Sequence, residues 1–319
     1  MVASSPPQLS IIVPCYNEAE NIPLLFSRLT EVLASLQVTY EIICVNDGSE
    51  DNSLQVLLEY HKRDPRIKVI NLSRNFGKEI ALTAGLDYAN GKAVIPIDAD
   101  LQDPPELIVE LVARWQEGYD VVNATRKSRR GESWLKRKTA EWFYAIISRI
   151  SNIPIPPNTG DYRLLDRKVV EALKLIPERN RFMKGLFAWV GYKQTTIYFD
   201  RLPRHGGKTS FNWWKLWNFA IDGITSFSSV PLKIWSYLGL FISLISFLYG
   251  LFIVVKTIVF GVDVPGYAST IVAILFLGGI QLISLGVIGE YLARMYEEVK
   301  QRPLYLIRDT YGFDEEGQF

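Results

Sequence analysis

The sequence contains few of the residues on which disulfide scaffolds, zinc sites and secreted proteins depend. Its 319 residues include two cysteines and two histidines. Cys15 and Cys44 both lie in apolar, strand-like runs without metal-site spacing, so we interpret them as buried thiols in a reducing compartment. Residues 1–10 lack the charged-then-apolar pattern of a secretion signal, which predicts that there is no signal peptide.

An excess of charge of either sign is also absent. The chain carries 35 Lys and Arg against 34 Asp and Glu, a formal net charge of +1. This balance gives no basis for nucleic-acid binding. The sequence has neither a G-x-G-x-x-G turn nor a Walker A lysine loop. A dinucleotide-binding fold and a P-loop ATPase are therefore not indicated.

Two long runs, residues 234–255 and 264–289, lack charge altogether. Each exceeds the roughly 20 residues that a helix needs to cross a bilayer, which predicts two C-terminal transmembrane helices. Arginines and lysines are plentiful on the outer sides of the pair and scarce between the runs. By the positive-inside rule we expect an integral protein of the inner or plasma membrane, with the N-terminal domain and both termini cytoplasmic. Glycines in the second run allow close helix contact, so a homo-oligomer is expected.

The first half alternates two kinds of segment. Apolar, β-branched segments at 9–14, 40–45, 67–72, 93–97 and 119–125 predict strands. Helical spacing of apolar residues predicts helices at 20–36, 52–63 and 77–89, and another after the two prolines at 104–105. This alternation predicts an α/β fold, a mostly parallel sheet with helices on both faces.

Distinctive polar residues follow four of these predicted strands, where ligands of such sheets gather. They are Pro14, Tyr16, Asn17 and Glu18 after the first strand; Asn46, Asp47, Gly48 and Ser49 after the second; Arg74, Asn75, Gly77 and Lys78 after the third; and Asp98, Asp100 and Gln102 after the fourth. We expect these four groups to form one site at a single edge of the sheet.

The last group predicts a metal site. Asp98, Asp100 and Gln102 alternate, so their side chains point the same way if the backbone stays extended. Three hard oxygen donors suit Mg²⁺ or Mn²⁺. The alternative is that Asp100 or Asp103 only caps the following helix and that Asp98 is a solvated strand end. Three spaced donors favour the metal.

Three further segments bear on the function, and the first two have two interpretations each. The basic run at 126–138 is either a solvated loop or a face held against anionic lipid headgroups by the aromatic helix around Trp142. Asp161 and Arg163, beside Gly160, form either part of the site or a turn with a local ion pair. Residues 211–219 mix aromatic with polar residues, which indicates an amphipathic helix in the membrane interface.

Taken together, the motifs resemble those of one family. PxYNE at residues 14–18, NDGS at 46–49, RNFGK at 74–78, DADLQDPP at 98–105 and GDYR at 160–163 occur in this order. They resemble the family 2 glycosyltransferases of the polyprenyl-phosphate branch, and most closely the bacterial undecaprenyl-phosphate glucosyltransferases of the GtrB type. The similarity extends from about residue 9 to residue 300.

The resemblance implies a GT-A-type fold and inverting transfer of a sugar to a polyprenyl phosphate. Glucose from UDP-glucose is the expected donor, and a β-linked product would arise from an α-linked donor. A GDP-mannose-dependent dolichol- or polyprenyl-phosphate mannose synthase and a non-catalytic nucleotide-sugar-binding membrane protein stay open as alternatives. A processive polysaccharide synthase is disfavoured, because no Q-x-x-R-W motif follows the Gly-Asp motif and only two spans are predicted.

The resemblance also divides the chain. Residues 1–205 would form a cytoplasmic GT-A catalytic domain, and residues 206–230 an amphipathic interface segment. Residues 231–291 would form two transmembrane helices, and residues 292–319 a cytoplasmic C-terminal tail.

Carried over by position, the resemblance assigns roles to individual residues. The nucleotide-sugar set is Pro14, Tyr16, Glu18, Asp47, Lys78, Asp98, Arg204 and Lys208; the metal set is Asp98, Asp100 and Gln102; the acceptor-phosphate set is Arg126, Arg137 and Arg163; and the catalytic pair is Asp161, as base, with Arg126. Two positions depart from the family pattern. Asn46 replaces the first aspartate of the Asp-Asp-Gly-Ser motif, and Ser210 stands where the family often has the lysine of the closing loop.

Overall fold

The computed structural model describes residues 6–127, 159–176, 178–179, 181, 183–200, 230–261 and 266–313. Eight strands form one sheet. In chain order they are Leu9–Cys15 (β1), Tyr40–Asn46 (β2), Ile67–Leu72 (β3), Ala93–Pro96 (β4), Val121–Arg126 (β5), Thr159–Asp166 (β6), Gln194–Phe199 (β7) and Ile307–Tyr311 (β8).

Helices connect most of these strands. They are Ile22–Ser35 (α1), Ser53–Arg63 (α2), Lys78–Tyr88 (α3), Ile108–Gln116 (α4), Arg167–Lys174 (α5), Met183–Trp189 (α6), Val230–Phe260 (α7) and Tyr267–Lys300 (α8). A short 3₁₀ turn, Pro105–Leu107, precedes α4 and starts at the second of the two adjacent prolines. The prolines therefore begin the helical segment, as predicted.

The strand order is β7-β5-β6-β4-β1-β2-β3-β8. The pairs β1–β2, β1–β4, β2–β3 and β5–β7 are parallel, whereas β6 runs antiparallel to both β4 and β5, and β8 runs antiparallel to β3. Because β1 to β4 are parallel, their carboxyl ends lie at the same edge of the sheet. The predicted α/β sheet is confirmed, with three antiparallel pairings added.

Strand β1 shows how the two faces of the sheet are covered. Ile11 and Val13 belong to a buried cluster that includes side chains of α1 and α4. Ile12 belongs to the opposite cluster, which includes side chains of α3, α5 and α6. Alternate residues of a strand face opposite sides, so a continuous apolar run is needed to bury both. Helices therefore cover both faces of the sheet.

Three strands differ from the sequence-based expectation. Residues 159–163, interpreted as part of a site or as a turn, lie within β6, and the predicted tail contains β8. The third, β7, has no counterpart among the predicted strands. Polar residues in β6 and β8, such as Asp161 and Asp309, interrupt the apolar pattern because they face other polar groups. An edge strand such as β8 also needs no apolar residues on its outer side.

The first charge-free run, residues 234–255, lies within α7, and residues 267–289 of the second run lie within α8. Among the described residues, the segment Phe276–Lys300 is long and apolar enough to cross a membrane. The predicted interface segment, residues 206–230, lies outside the described residues except for its last position.

Gly85 supplies a test of the helix-to-sheet packing. A Cβ atom built at Gly85 in α3 would overlap Cγ2 of the fully buried Ile12 in β1. Overpacking of a core typically costs about 1–3 kcal/mol. We expect Gly85→Ala to lower the free energy of unfolding by roughly that amount, measured as a lower thermal midpoint of the purified protein in detergent.

The matched control is Gly250→Ala in α7, where the added methyl group would meet no atom of the described residues within 4 Å. Its thermal midpoint should equal or exceed that of the wild type, since alanine is the better helix former. An unchanged midpoint for Gly85→Ala would show that α3 can move away from β1 without cost.

Candidate active site

Lys78 joins two carboxylates at the carboxyl edge of the sheet. Its Nζ lies 2.7 Å from Oδ1 of Asp98 and 2.8 Å from Oδ2 of Asp161. Lys78 is the first residue of α3, Asp98 follows β4, and Asp161 is in β6. Burial acts to lower the pKa of Lys78, but the charges of Asp161 and Asp98 outweigh it and hold that pKa well above its usual value. The lysine is therefore a fixed cation between two elements of the sheet.

More charges surround Asp161. Burial acts to raise the pKa of this carboxyl, but Lys78 and Lys184 outweigh it and hold the pKa well below its usual range. The neighbouring Glu79 shows the opposite effect: burial and the charge of Asp161 raise its pKa to about 8. One oxygen of each carboxyl, Oδ1 of Asp161 and Oε2 of Glu79, is buried without a hydrogen-bond partner within the described part of the chain. Asp161 is thus a carboxylate at neutral pH, whereas Glu79 holds a proton.

Asp47 holds the loop that carries Lys78. Its Oδ1 accepts a hydrogen bond from the backbone N–H of Phe76 (2.7 Å), and its Oδ2 accepts one from that of Gly77 (2.9 Å). Burial raises the pKa of Asp47 despite these two donors. The next residue, Gly48, has a φ of +67°, and a Cβ there would lie 2.5 Å from backbone atoms of Arg74 and Asn75. Only glycine allows the two loops to pack this closely.

Three residues of the predicted nucleotide-sugar set, Pro14, Tyr16 and Glu18, lie beside the Asp47 loop. Tyr16 is 43% exposed, so its ring is available to a ligand. Asn17 has a φ of +56°, and its backbone N–H donates to Oγ of Ser49. Glu18 accepts a hydrogen bond from Nδ2 of Asn21 (2.6 Å). Pro14 pairs with Val45, the residue before Asn46. The structure therefore brings the first two sequence groups together.

The acidic segment differs from its predicted geometry. Strand β4 ends at Pro96, and Leu101 has a φ of +60°, so the backbone is not extended between Asp98 and Gln102. Asp100 is 5% exposed, and its Oδ1 accepts the backbone N–H of Gln102 in a tight turn. The expectation that the three side chains alternate along a strand is wrong, because the turn rotates them.

The residues still fit a divalent cation chemically. No group of three or more His, Cys, Asp or Glu side chains arranged to hold a metal occurs within the described ranges. However, the predicted set has only two carboxylates, and its third donor is an amide oxygen. The carboxylate of Asp98 already binds one positive group, since it forms an ion pair with the ammonium of Lys78. Hard oxygen ligands of this type suit Mg²⁺ or Mn²⁺.

The three predicted phosphate-binding arginines have different positions. The guanidinium of Arg126, at the end of β5, lies beside Gly160, since a Cβ there would be 3.7 Å from Nη2. Arg163 is 4% exposed, donates to the carbonyl of Gly160 (2.6 Å) and stacks over the ring of Phe187. Arg163 therefore stabilises the backbone of β6, the strand to which it belongs. Arg137 lies outside the described residues, as do Arg204 and Lys208.

Two ionisable residues at the site, Glu79 and Lys184, were not among the predicted set. Glu79 directly follows the RNFGK motif, and its position in the first turn of α3 could have drawn attention to it. Lys184 lies in α6, which no motif marks. Helix α6 and strand β6 become neighbours only when the sheet folds, so the sequence alone does not relate Lys184 to Asp161.

Comparison with known proteins identifies the family. The glycosyl transferase family 2 profile matches residues 10–174, and the GtrB C-terminal hairpin profile matches residues 230–295. The chain belongs to glycosyltransferase family 2. An uncharacterized glycosyltransferase of Synechocystis is 66% identical over 307 residues, 96% of each chain. The prophage-derived bactoprenol glucosyl transferase of Shigella flexneri is 50% identical over 304 residues, 95% of this chain and 98% of that protein.

Among solved structures, mannosyl-3-phosphoglycerate synthase from Rubrobacter xylanophilus matches with a TM-score of 0.50 at 18% identity. The match covers 68% of this chain and 71% of that one. At this identity the likeness concerns the fold alone. This glycosyltransferase therefore combines a family 2 domain with a C-terminal hairpin, as the motifs predicted.

The protonated state of Glu79 can be tested through stability. A free glutamate ionises near a pH of about 4.3, whereas Glu79 ionises at about 8 in the folded protein. Between these values the folded protein holds a proton that the unfolded chain has released, so this group makes stability fall as the pH rises. We expect the thermal midpoint in metal-free buffer to decline from pH 5.5 to 8, and to decline less in Glu79→Gln.

The difference between the two profiles isolates Glu79, since all other ionisable groups are common to both proteins. Parallel profiles for the wild type and Glu79→Gln would mean that Glu79 is ionised in the folded protein at neutral pH.

Proposed function

We propose that this glycosyltransferase transfers glucose from UDP-glucose to a polyprenyl phosphate at the membrane surface, with inversion at the anomeric carbon. The observation that most supports this proposal is the 50% identity to a bactoprenol glucosyl transferase over almost the full length of both chains. The match includes the hairpin as well as the catalytic domain. GDP-mannose is the rival donor, because the sequence does not fix the nucleotide.

The charges of the site support a reaction between two anions. A phosphate monoester has its second ionisation near pH 6, so the acceptor is mostly a dianion at neutral pH and needs no strong base. Arg126 lies beside Gly160. There it would reduce the repulsion between the acceptor phosphate and the donor diphosphate. The low pKa of Asp161 makes this carboxylate a weak base. We therefore infer that Asp161 acts mainly by orienting the acceptor or the donor, and not as a general base.

The donor side is proposed as follows. Pro14, Tyr16, Glu18 and Asp47 would bind the base and ribose. Asp98 and Asp100, with Gln102, would hold Mg²⁺ or Mn²⁺, which when bound offsets charge on the diphosphate leaving group. Lys78 contacts Asp98 and would therefore lie next to the same phosphates. Arg137 at the acceptor, and Arg204 and Lys208 at the donor, stay predictions.

The membrane arrangement is part of the proposal. Helices α7 and α8 would form two spans, with residues 206–230 in the interface and the catalytic domain on the cytoplasmic side. This arrangement would place the sheet where a bilayer-bound acceptor can present its phosphate. A Cβ added at Gly278, Gly279, Gly286 or Gly289 would meet no atom of the described residues within 4 Å, so this face of α8 would leave room for the predicted homo-oligomer.

Transfer itself is the first test. Membranes containing the protein, supplied with Mg²⁺ or Mn²⁺ and radiolabelled UDP-glucose, should yield a labelled lipid that is extractable into organic solvent. EDTA should abolish the product, because the leaving diphosphate would lose its counter-charge.

One control is the Asp98→Asn variant in the same membranes. A second control supplies labelled GDP-mannose to the wild type as the competing donor. Label in the lipid from GDP-mannose alone would establish the mannose synthase instead. Nucleotide binding with no labelled lipid from any activated sugar would contradict the proposal.

The roles of Arg126 and Asp161 can be separated. Hydrogen bonds to charged groups contribute about 1.5–3 kcal/mol, so Arg126→Ala should reduce kcat/KM for polyprenyl phosphate roughly tenfold to hundredfold. Asp161→Asn should reduce it less, because the amide keeps the shape of the side chain. Steady-state assays over acceptor concentration measure both.

Lys127→Ala is the matched control for Arg126→Ala, since Lys127 is the adjacent basic residue. Within the described residues its side chain forms a long ion pair, at 4.0 Å, with the exposed Asp200. The reverse order, with Asp161→Asn inactive and Arg126→Ala nearly normal, would favour Asp161 as the general base.

A further inference from the structure

The strand that follows the long C-terminal helices returns to the catalytic sheet. Strand β8 pairs antiparallel with β3, with Ile70 opposite Thr310 and Asn71 opposite Asp309. Side chains fix it as well. The hydroxyl of Tyr305 donates to Oδ2 of Asp87 in α3 (2.8 Å), and Phe313 packs edge-on against Tyr88. The last described segment is therefore part of the sheet.

A chain of side-chain hydrogen bonds runs from β8 to the predicted nucleotide site. Asn71 Nδ2 donates to Oδ2 of Asp309 (2.9 Å), and Asn46 Nδ2 donates to Oδ1 of Asn71 (2.9 Å). Asn46 and Asn71 are both nearly fully buried. The residue after Asn46 is Asp47, which holds the backbone of Phe76 and Gly77.

A second connection reaches the same loop from its other end. The backbone N–H of Ser73 donates to the carbonyl of Leu306 (2.8 Å), and Nη2 of Arg308 donates to the carbonyl of Ser73 (3.1 Å). Ser73 precedes the loop at 74–78, which ends in Lys78. Both ends of this loop are thus held, one by Asp47 and the other by β8.

We propose that β8 is a positioning element of the nucleotide-sugar site, in which Asp309, acting through Asn71 and Asn46, sets the position of Asp47 and of the loop that carries Lys78. The identity of the ligand rests on the proposed function, but the positioning does not. Asp309 itself touches no reacting atom and is a positioning residue.

This arrangement also explains the departure at position 46. Each asparagine in the chain of hydrogen bonds donates toward the next acceptor, and Asp309 can only accept when ionised. A carboxylate at position 46 would face Oδ1 of Asn71. Rotation of the Asn71 amide would relieve that contact, but it would turn Oδ1 of Asn71 toward Asp309. Positions 46 and 309 therefore cannot both carry an ionised carboxylate.

The first experiment compares Asp309→Ala with Thr310→Ala in the full-length protein. Thr310 lies in the same strand, and its backbone pairing with Ile70 is kept. We expect Asp309→Ala to raise the Kd for UDP roughly threefold to tenfold, the effect of about one hydrogen bond. Amide hydrogen exchange in peptides covering 44–50 and 73–80 should become faster. Thr310→Ala should change neither, and Asp309→Asn, which keeps an acceptor oxygen, should retain binding.

The second experiment reverses the chain of hydrogen bonds. Asn46→Asp alone should weaken UDP binding and speed exchange in the same two peptides. Adding Asp309→Asn should restore both toward the wild type, because the Asn71 amide can then donate to position 46 and accept from position 309. A role in stability alone would not produce this reciprocal rescue.

Equal exchange and equal UDP affinity in Asp309→Ala and Thr310→Ala, or no rescue in the double variant, would overturn the positioning role. Exchange is measured without nucleotide. If the wild type fails to bind UDP, the proposed donor is wrong, and the exchange data alone decide whether β8 positions the loop.

Discussion

Two carboxylates from different parts of the sheet can lie close together here because one ammonium group lies between them. Lys78 contacts Asp98 and Asp161 at once, and both contacts are shorter than 3 Å. Without the lysine, the like charges would repel each other in a partly buried site. The position of Lys78 in turn depends on the loop that Asp47 holds through two backbone N–H groups. The geometry of the site thus depends on charge balance as well as on packing.

The same charge balance bears on the chemistry. A carboxylate that is stabilised by cations is a poor proton acceptor, which is the case for Asp161. Glu79 is the better base by pKa, yet it already holds a proton at neutral pH. Because the acceptor phosphate is mostly a dianion at that pH, the reaction has little need of either as a base. Its main obstacle is the approach of two anions, and the arginine at the end of β5, beside Gly160, is the group that we propose reduces their repulsion.

Much of the fold could be predicted from the sequence, because strands β1 to β5 are apolar and the connecting helices have a helical period. The convergence of four polar groups followed from the parallel direction of the first four strands. The turn at Leu101 could not be predicted, since positive φ at a leucine depends on tertiary contacts. The long-range hydrogen bonds of Asp309 and the approach of Lys184 to Asp161 were equally inaccessible, because they join residues far apart in the chain that no local pattern relates.

The position of β8 changes how the catalytic domain should be delimited. A domain that ends near residue 205 would leave β3 as an edge strand and Asn71 without its partner Asp309. The end of α8 also contacts this domain, since Oε1 of Glu298 accepts the backbone N–H of Arg179 at 2.6 Å. The C-terminal end of α8 is therefore attached to the catalytic domain in two ways, by the contact of Glu298 and by the pairing of the following strand, β8, with β3. In the proposed function the acceptor phosphate stays at the bilayer surface, so the donor site would need a fixed height above it. These contacts connect α8 directly to the sheet that carries the donor site.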